Sequence, residues 1–149
     1  MKKFAAFVLV IAGLTAVYYY FAREEENLDV SEIRSLLNRQ TICWNLGNIE
    51  CFMMGYWESD SLIFIGRSGI TYGYQNTLEG YKERYSDKSA MGELKFDIME
   101  MRKISDEVYL VVGKFYLERE SLEDLEGIFT LTLKKIKDKW AIVADHTTG

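Results

Sequence analysis

The chain has 149 residues, 48% of them hydrophobic and 28% charged, which is room for one folded domain and little else. A net charge of −5 with no concentrated basic face argues against nucleic acid as a partner, and one histidine beside two cysteines is too few to complete a zinc site. Proline is absent, so there is no proline-rich linker, and the 14% aromatic content suits either a large core or a ring-lined cavity.

Met1-Lys2-Lys3 precedes an uncharged run, FAAFVLVIAGLTAVYYYFA over residues 4–22, which Arg23-Glu24-Glu25-Glu26 closes. As a helix that run would span ~28 Å, about the hydrocarbon thickness of a bilayer. Cleavage after Ala22 would put bulky Tyr20 at −3, which disfavours a cleaved signal, and Tyr18, Tyr19 and Tyr20 sit where an interfacial aromatic belt would sit. Residues 1–28 are therefore expected to be a transmembrane anchor or signal segment, and residues 29–149 the folded domain. The two lysines would hold the N-terminus inside, placing the domain outside the cytoplasm; the alternative is a secreted or periplasmic domain after cleavage.

Asp29-Val30-Ser31-Glu32 has the form of a capping box, and Val30, Ile33, Leu37 and Trp44 recur at helical spacing, which predicts a helix over 29–44. Asn45-Leu46-Gly47 stops it. A short helix over 48–54 follows, with Ile49, Phe52 and Met53 inward. Cys43 and Cys51 flank that break. Two buried free thiols are the expectation, and pairing stays open if the break at Gly47 folds the chain back on itself. Ser61–Ile65 and Ile70–Tyr72 read as a hairpin around Gly66-Arg67-Ser68-Gly69. Thr77 can cap a third helix carrying Leu78, Tyr81 and Tyr85. Four long strands complete the chain, over 93–104, 107–119, 126–137 and 140–147, with a phase shift at Met99 that predicts a bulge. Segregated helices and an antiparallel sheet mean an α+β fold, with a curved sheet wrapped around helices to leave a cone with a mouth.

The helix ending Cys43-Trp44-Asn45, the segment Met54-Gly55-Tyr56-Trp57, the turn Ile65-Gly66-Arg67, the stretch Tyr72-Gly73-Tyr74 before the helix with Tyr81, and the closing Trp140-Ala-Ile-Val-Ala-Asp145-His146 resemble the SnoaL-like group of the nuclear transport factor 2-like superfamily. The resemblance covers about residues 29–147 and rests on the order and spacing of elements. It implies a cone-shaped sheet around an apolar pocket, often with a homodimer through the outer face of the sheet. Isomerases, dehydratases, cyclases, hydrolases and non-catalytic binders share that architecture, so fold alone does not set function.

Candidate site residues follow from chemistry. Asp145-His146 is the one acid–histidine neighbour pair, and strand alternation puts His146 with Trp140, Ile142 and Ala144, and Asp145 with Ala141 and Val143. One of the two can enter the cone, as a proton-transfer or binding group, or else the histidine merely ends the strand. The pocket candidates are Trp44, Tyr56, Trp57, Arg67, Tyr72, Tyr74, Tyr81 and Phe129; Arg67 would grasp a carboxylate or phenolate at the rim, or sit in a solvated turn. Glu58 and Asp60 read as solvated loop acids, and Asp97 and Lys114 as outward strand charges. No nucleophile elbow and no glycine-rich phosphate loop occurs. Neither cofactor nor metal is expected. The expectation is a domain that binds a small apolar or aromatic ligand; the alternatives are an acid–base enzyme using His146 with a carboxylate (Asp145, Asp97 or Glu58), and a dimerisation or interaction module with a vestigial pocket.

Overall fold

The computed structural model describes the backbone of residues 2–149 and the side chains of residues 14–149. The chain divides into two compact units, Met1–Ile33 and Arg34–Gly149.

In the first unit the chain is helical from Lys2, within α1 (Lys2–Asn45). Leu14, Val17, Tyr18, Tyr19, Tyr20 and Phe21 are exposed, and the Tyr20 hydroxyl donates to Glu24 at 2.9 Å. The membrane placement expected from residues 4–22 is corrected here: among the described residues no helix is long and apolar enough to cross a membrane. The side chains of residues 4–13, the first half of that run, lie outside the described residues. The expected helix start at Asp29 is also corrected. Arg23 to Leu28 contains no glycine or proline and consists mostly of good helix formers, Arg23, Glu24, Glu25, Glu26 and Leu28, so nothing there breaks the helix and Asp29 lies inside it.

The second unit opens with the last turns of α1, which end in a Schellman turn. Gly47 takes φ +74° and donates to Trp44 O at 2.7 Å, while Asn48 N donates to Cys43 O at 2.9 Å. The Asn48 side chain then caps α2 (Ile49–Met53) by accepting from Cys51 N at 2.8 Å. The turn brings Cys51 back beside Cys43, with their Cα atoms 5.4 Å apart, and the two form a disulfide. This corrects the expectation of free thiols: a reversal of chain direction, invisible in cysteine spacing, does the pairing. Replacing both cysteines with serine should lower unfolding stability by about 2 kcal/mol, because the bridge closes only a short loop. Urea unfolding with and without reductant checks this; an unchanged midpoint would mean that the thiols do not pair in solution.

β1 (Ile63–Gly66) and β2 (Gly69–Tyr72) make the expected hairpin. α3 (Tyr74–Arg84) starts three residues before the expected cap at Thr77. Thr77 is instead buried one turn in, where its hydroxyl donates to Gly73 O at 2.8 Å. A four-residue α4 (Lys88–Met91), capped by Asp87 through Ala90 N, was not expected from periodicity because it is too short to show one. β3 (Glu93–Ser105), β4 (Val108–Glu118), β5 (Leu125–Ile136) and β6 (Lys139–Thr148) form the long meander, and β3 slips register at Met99, as its phase shift predicts. Lys137 and Asp138 both adopt positive φ in the β5–β6 turn, the pattern of a type I′ hairpin.

The sheet has six strands in the order β2-β1-β6-β5-β4-β3 and is antiparallel except where β1 runs parallel to β6. Tyr109, Val111 and Leu117 of β4 and Phe129, Leu131 and Leu133 of β5 are buried on one face, together with Leu36, Leu37, Trp44 and Phe52 of the helices. Asp97 and Lys114, cross-strand partners on β3 and β4, are exposed on the other face. The result is an α+β unit with its core between the helices and one face of an open sheet.

Candidate ligand cavity

The buried face of the sheet and the helices enclose a cavity of about 70 Å³. Its sheet wall is apolar, built from Phe96, Phe115, Leu117, Phe129 and Leu131, and its helix wall carries Gln40, Trp44, Phe52, Tyr81 and Tyr85. Gly113 makes room for this wall: a Cβ there would meet the Phe129 ring at 2.5 Å, and that ring in turn packs edge-on against Phe96 with centroids 5.2 Å apart. Trp44 is the centre of the aromatic packing, edge-on to Phe52, Tyr81 and Tyr85, and its indole N–H donates to Met91 O at 3.1 Å.

The polar end of the cavity is a short hydroxyl–carboxyl network. Tyr56 donates to Asp145 Oδ2 at 2.7 Å, Thr147 donates to Asp145 Oδ1 at 2.6 Å, and the Tyr81 hydroxyl lies 3.4 Å from that of Tyr56. Asp145 is only 3% exposed, and burial pushes its carboxyl above the ordinary aspartate range against the pull of the Thr147 and Tyr56 hydroxyls and the nearby His146. Burial also holds the Tyr56 and Tyr81 phenols well above their usual range, reinforced by the Asp145 charge. Because Tyr56 spends its proton on Asp145, its oxygen is left as an acceptor; the Tyr81 hydroxyl is the group that can turn toward a cavity occupant.

Strand β6 explains which member of Asp145-His146 enters. Leu133 pairs with Ile142 but Thr132 pairs with Ala144, so Val143 is an extra residue, a bulge. Trp140 and Ile142 face inward before it, and Asp145 and Thr147 after it, so Asp145 lies beside inward Leu131 and Phe64 while His146 pairs with Thr130 and Ile65 and is exposed. The expectation that His146 shares the face of Trp140 and Ile142 is thereby corrected: one unpaired residue inverts the alternation, and His146 does not line the cavity.

Among the other candidates, Trp44, Tyr56, Tyr81 and Phe129 line the cavity together with Asp145. Trp57 does not; its backbone N–H donates to Ile142 O at 2.9 Å and its side chain is half-buried elsewhere. Tyr72 is exposed on edge strand β2, and Tyr74, the first residue of α3, stands away from the cavity with its phenol raised by burial and by the charge of Glu58. Tyr72 ends the hairpin that carries Phe64 inward and Tyr74 follows it, so an aromatic cluster in sequence splits between two surfaces. Glu58 and Asp60 are exposed in the loop after α2. Arg67 stands in the β1–β2 turn and borders a surface depression adjoining the cavity rather than the cavity. Gln40, Arg84 and Thr147 are lining residues that sequence reasoning missed; Thr147 alone had a signal, two residues from Asp145 on the same strand face.

A crystal structure of an NTF2-like protein of unknown function from Shewanella oneidensis MR-1 is 37% identical and superposes with a TM-score of 0.77 over 81% of this chain and 99% of that one. The chain belongs to the NTF2-like family. This NTF2-like chain also shares its fold with a cystatin-like-fold domain from Nostoc punctiforme PCC 73102 (17% identity, TM-score 0.69, 81% of this chain and 76% of that one). A ketosteroid isomerase-like protein from Erwinia carotovora atroseptica SCRI1043 is a third likeness, at 14% identity and TM-score 0.61 over 79% of this chain and 93% of that one. No family model and no curated protein matches the sequence.

Proposed function

We propose that this is a binding domain of the SnoaL-like kind, whose cavity takes a slim apolar ligand by one neutral hydrogen-bonding end. The observation that carries it is the Asp145–Tyr56–Tyr81 network at the end of a cavity whose sheet wall is apolar. A buried carboxyl flanked by tyrosines is costly for a core and useful in a site, because it fixes the direction in which the last hydroxyl points. The shape narrows the ligand class. A cavity of about 150 Å³ holds benzene, so the 70 Å³ here suits a few atoms of an unbranched chain rather than a ring.

1-Pentanol is a suitable probe, read by intrinsic tryptophan fluorescence because Trp44 lines the cavity. Saturable quenching is expected, and Tyr81→Phe should weaken it by about tenfold, the worth of one hydrogen bond. If neither pentanol nor its homologues produce a saturable change, the binding reading fails.

A second reading, an acid–base enzyme, rests on the raised pKa of Asp145, the property expected of a proton-transferring carboxyl. It keeps only half of the pair first considered, since His146 faces away. Exchange of α-protons in a small ketone, catalysed by the wild type and absent in Asp145→Asn, would favour it over simple binding.

A further inference from the structure

The cavity opens beside a depression of about 300 Å³, with Phe64, Arg84, Tyr85, Phe115 and Thr147 bordering both. Three arginines converge there from three different elements: Arg67 from the β1–β2 turn, Arg84 from the end of α3, and Arg119 just after β4. Tyr85 borders the depression beside two of them, Arg84 and Arg119. Burial raises its phenol, while Arg84 and the charge of Arg119 oppose that rise.

Among the described residues none of the three arginines is in an ion pair; the side-chain ion pairs employ Lys82, Lys95, Arg102 and Lys103 instead. Arg119 donates to the backbone carbonyl of Glu123, which leaves the rest of its five-donor fork available. Glu83 borders the next depression along, beyond Arg84. Three arginines outside any ion pair thus border one cavity mouth in a chain of net charge −5, with the Asp124 carboxylate held on the Arg119 backbone N–H at 2.8 Å rather than on its guanidinium.

We propose that the ligand carries a carboxylate, held at this arginine rim, with its apolar stem running into the cavity. The inference rests on the binding reading above and adds the charge and orientation of the ligand. The inner end cannot take the anion, because Asp145 already places a carboxyl there; the rim can, through planar forks that match a carboxylate in a bidentate way. The inner cavity of about 70 Å³ is by itself below the size usual for a small-molecule site, and the depression of about 300 Å³ brings the two together into that range.

The test compares 5-hydroxypentanoate with its neutral isostere 5-hydroxypentanamide on the full chain, by calorimetry and tryptophan fluorescence. The acid is expected to bind at least tenfold more tightly than the amide, with a preference that shrinks as salt rises and disappears in Arg84→Gln. Arg84→Lys should recover part of it, which separates charge from fold. Equal binding of acid and amide would overturn the carboxylate inference and leave the cavity reading standing. Binding of neither would overturn both. An acid preference that survives Arg84→Gln and Arg67→Gln together would place the anion elsewhere and overturn the rim.

Discussion

Trp44→Ala is expected to lower the unfolding free energy by about 3–5 kcal/mol, the range for removing a large buried aromatic side chain. Trp44 is 2% exposed and packs edge-on against three other rings, so the void it leaves cannot be filled without moving Phe52, Tyr81 and Tyr85 together. The substitution also takes the indole donor from Met91 O and with it the link between α1 and α4. Trp44→Phe should cost less, because it retains most of the ring contact and loses mainly the hydrogen bond. Guanidinium unfolding of both variants gives the comparison. A loss under about 1 kcal/mol for the alanine variant would show that the ring cluster is not packed as described.

Tyr56→Phe is expected to cost about 3 kcal/mol at neutral pH, since it takes the tyrosine donor from Asp145 Oδ2 and leaves a buried carboxyl half satisfied. The same carboxyl makes stability depend on pH, and the sign can be worked out. Burial raises the Asp145 pKa in the folded state, so its protonated form is favoured by folding. Its contribution is then fully present below the unfolded value of about 3.9 and is lost as pH rises through the folded value. Wild type should therefore lose stability relative to Asp145→Asn across that window, by ~1.4 kcal/mol for each unit that separates the two values, and then run parallel to it. Tyr56→Phe removes an influence that lowers the carboxyl pKa, so it should carry the window to higher pH. Urea unfolding at a series of pH values in the three proteins measures this. A difference between wild type and Asp145→Asn that does not change with pH would mean that Asp145 ionises in the folded state as freely as in the unfolded chain.

The strands were legible because alternation is a local property. Tyr109, Val111 and Leu117, or Phe129, Leu131 and Leu133, declare their face one residue at a time, and the Met99 bulge showed as a break in phase between two apolar series. The bulge at Val143 gave no such sign: the residues around it are small or apolar on both faces, so the inversion that sends Asp145 inward becomes visible only in the pairing with β5. Helix boundaries were legible where a glycine enforced them, at Gly47, and misread at Asp29, where the capping-box pattern fell inside a continuous run of helix formers. The site split in the same way. Trp44, Tyr81 and Phe129 lie on regular faces whose direction periodicity gives, while Tyr56 sits between elements, held by an isolated bridge to Ile142. Arg84 and Arg119 come from element ends, and only tertiary packing brings them to one mouth.

The parallel pairing of β1 with β6 has a kinetic meaning. It joins Phe64 to Asp145 across most of the unit's sequence, whereas every other neighbour in the sheet is joined by a hairpin. Local hairpins close at little entropic cost, and a contact between such distant residues is made after them. The cavity wall is complete only when that last seam has formed, so hairpins alone do not make the cavity. A ligand of the proposed kind would act as a latch, slowing the opening of the seam and leaving the speed at which the sheet assembles unchanged.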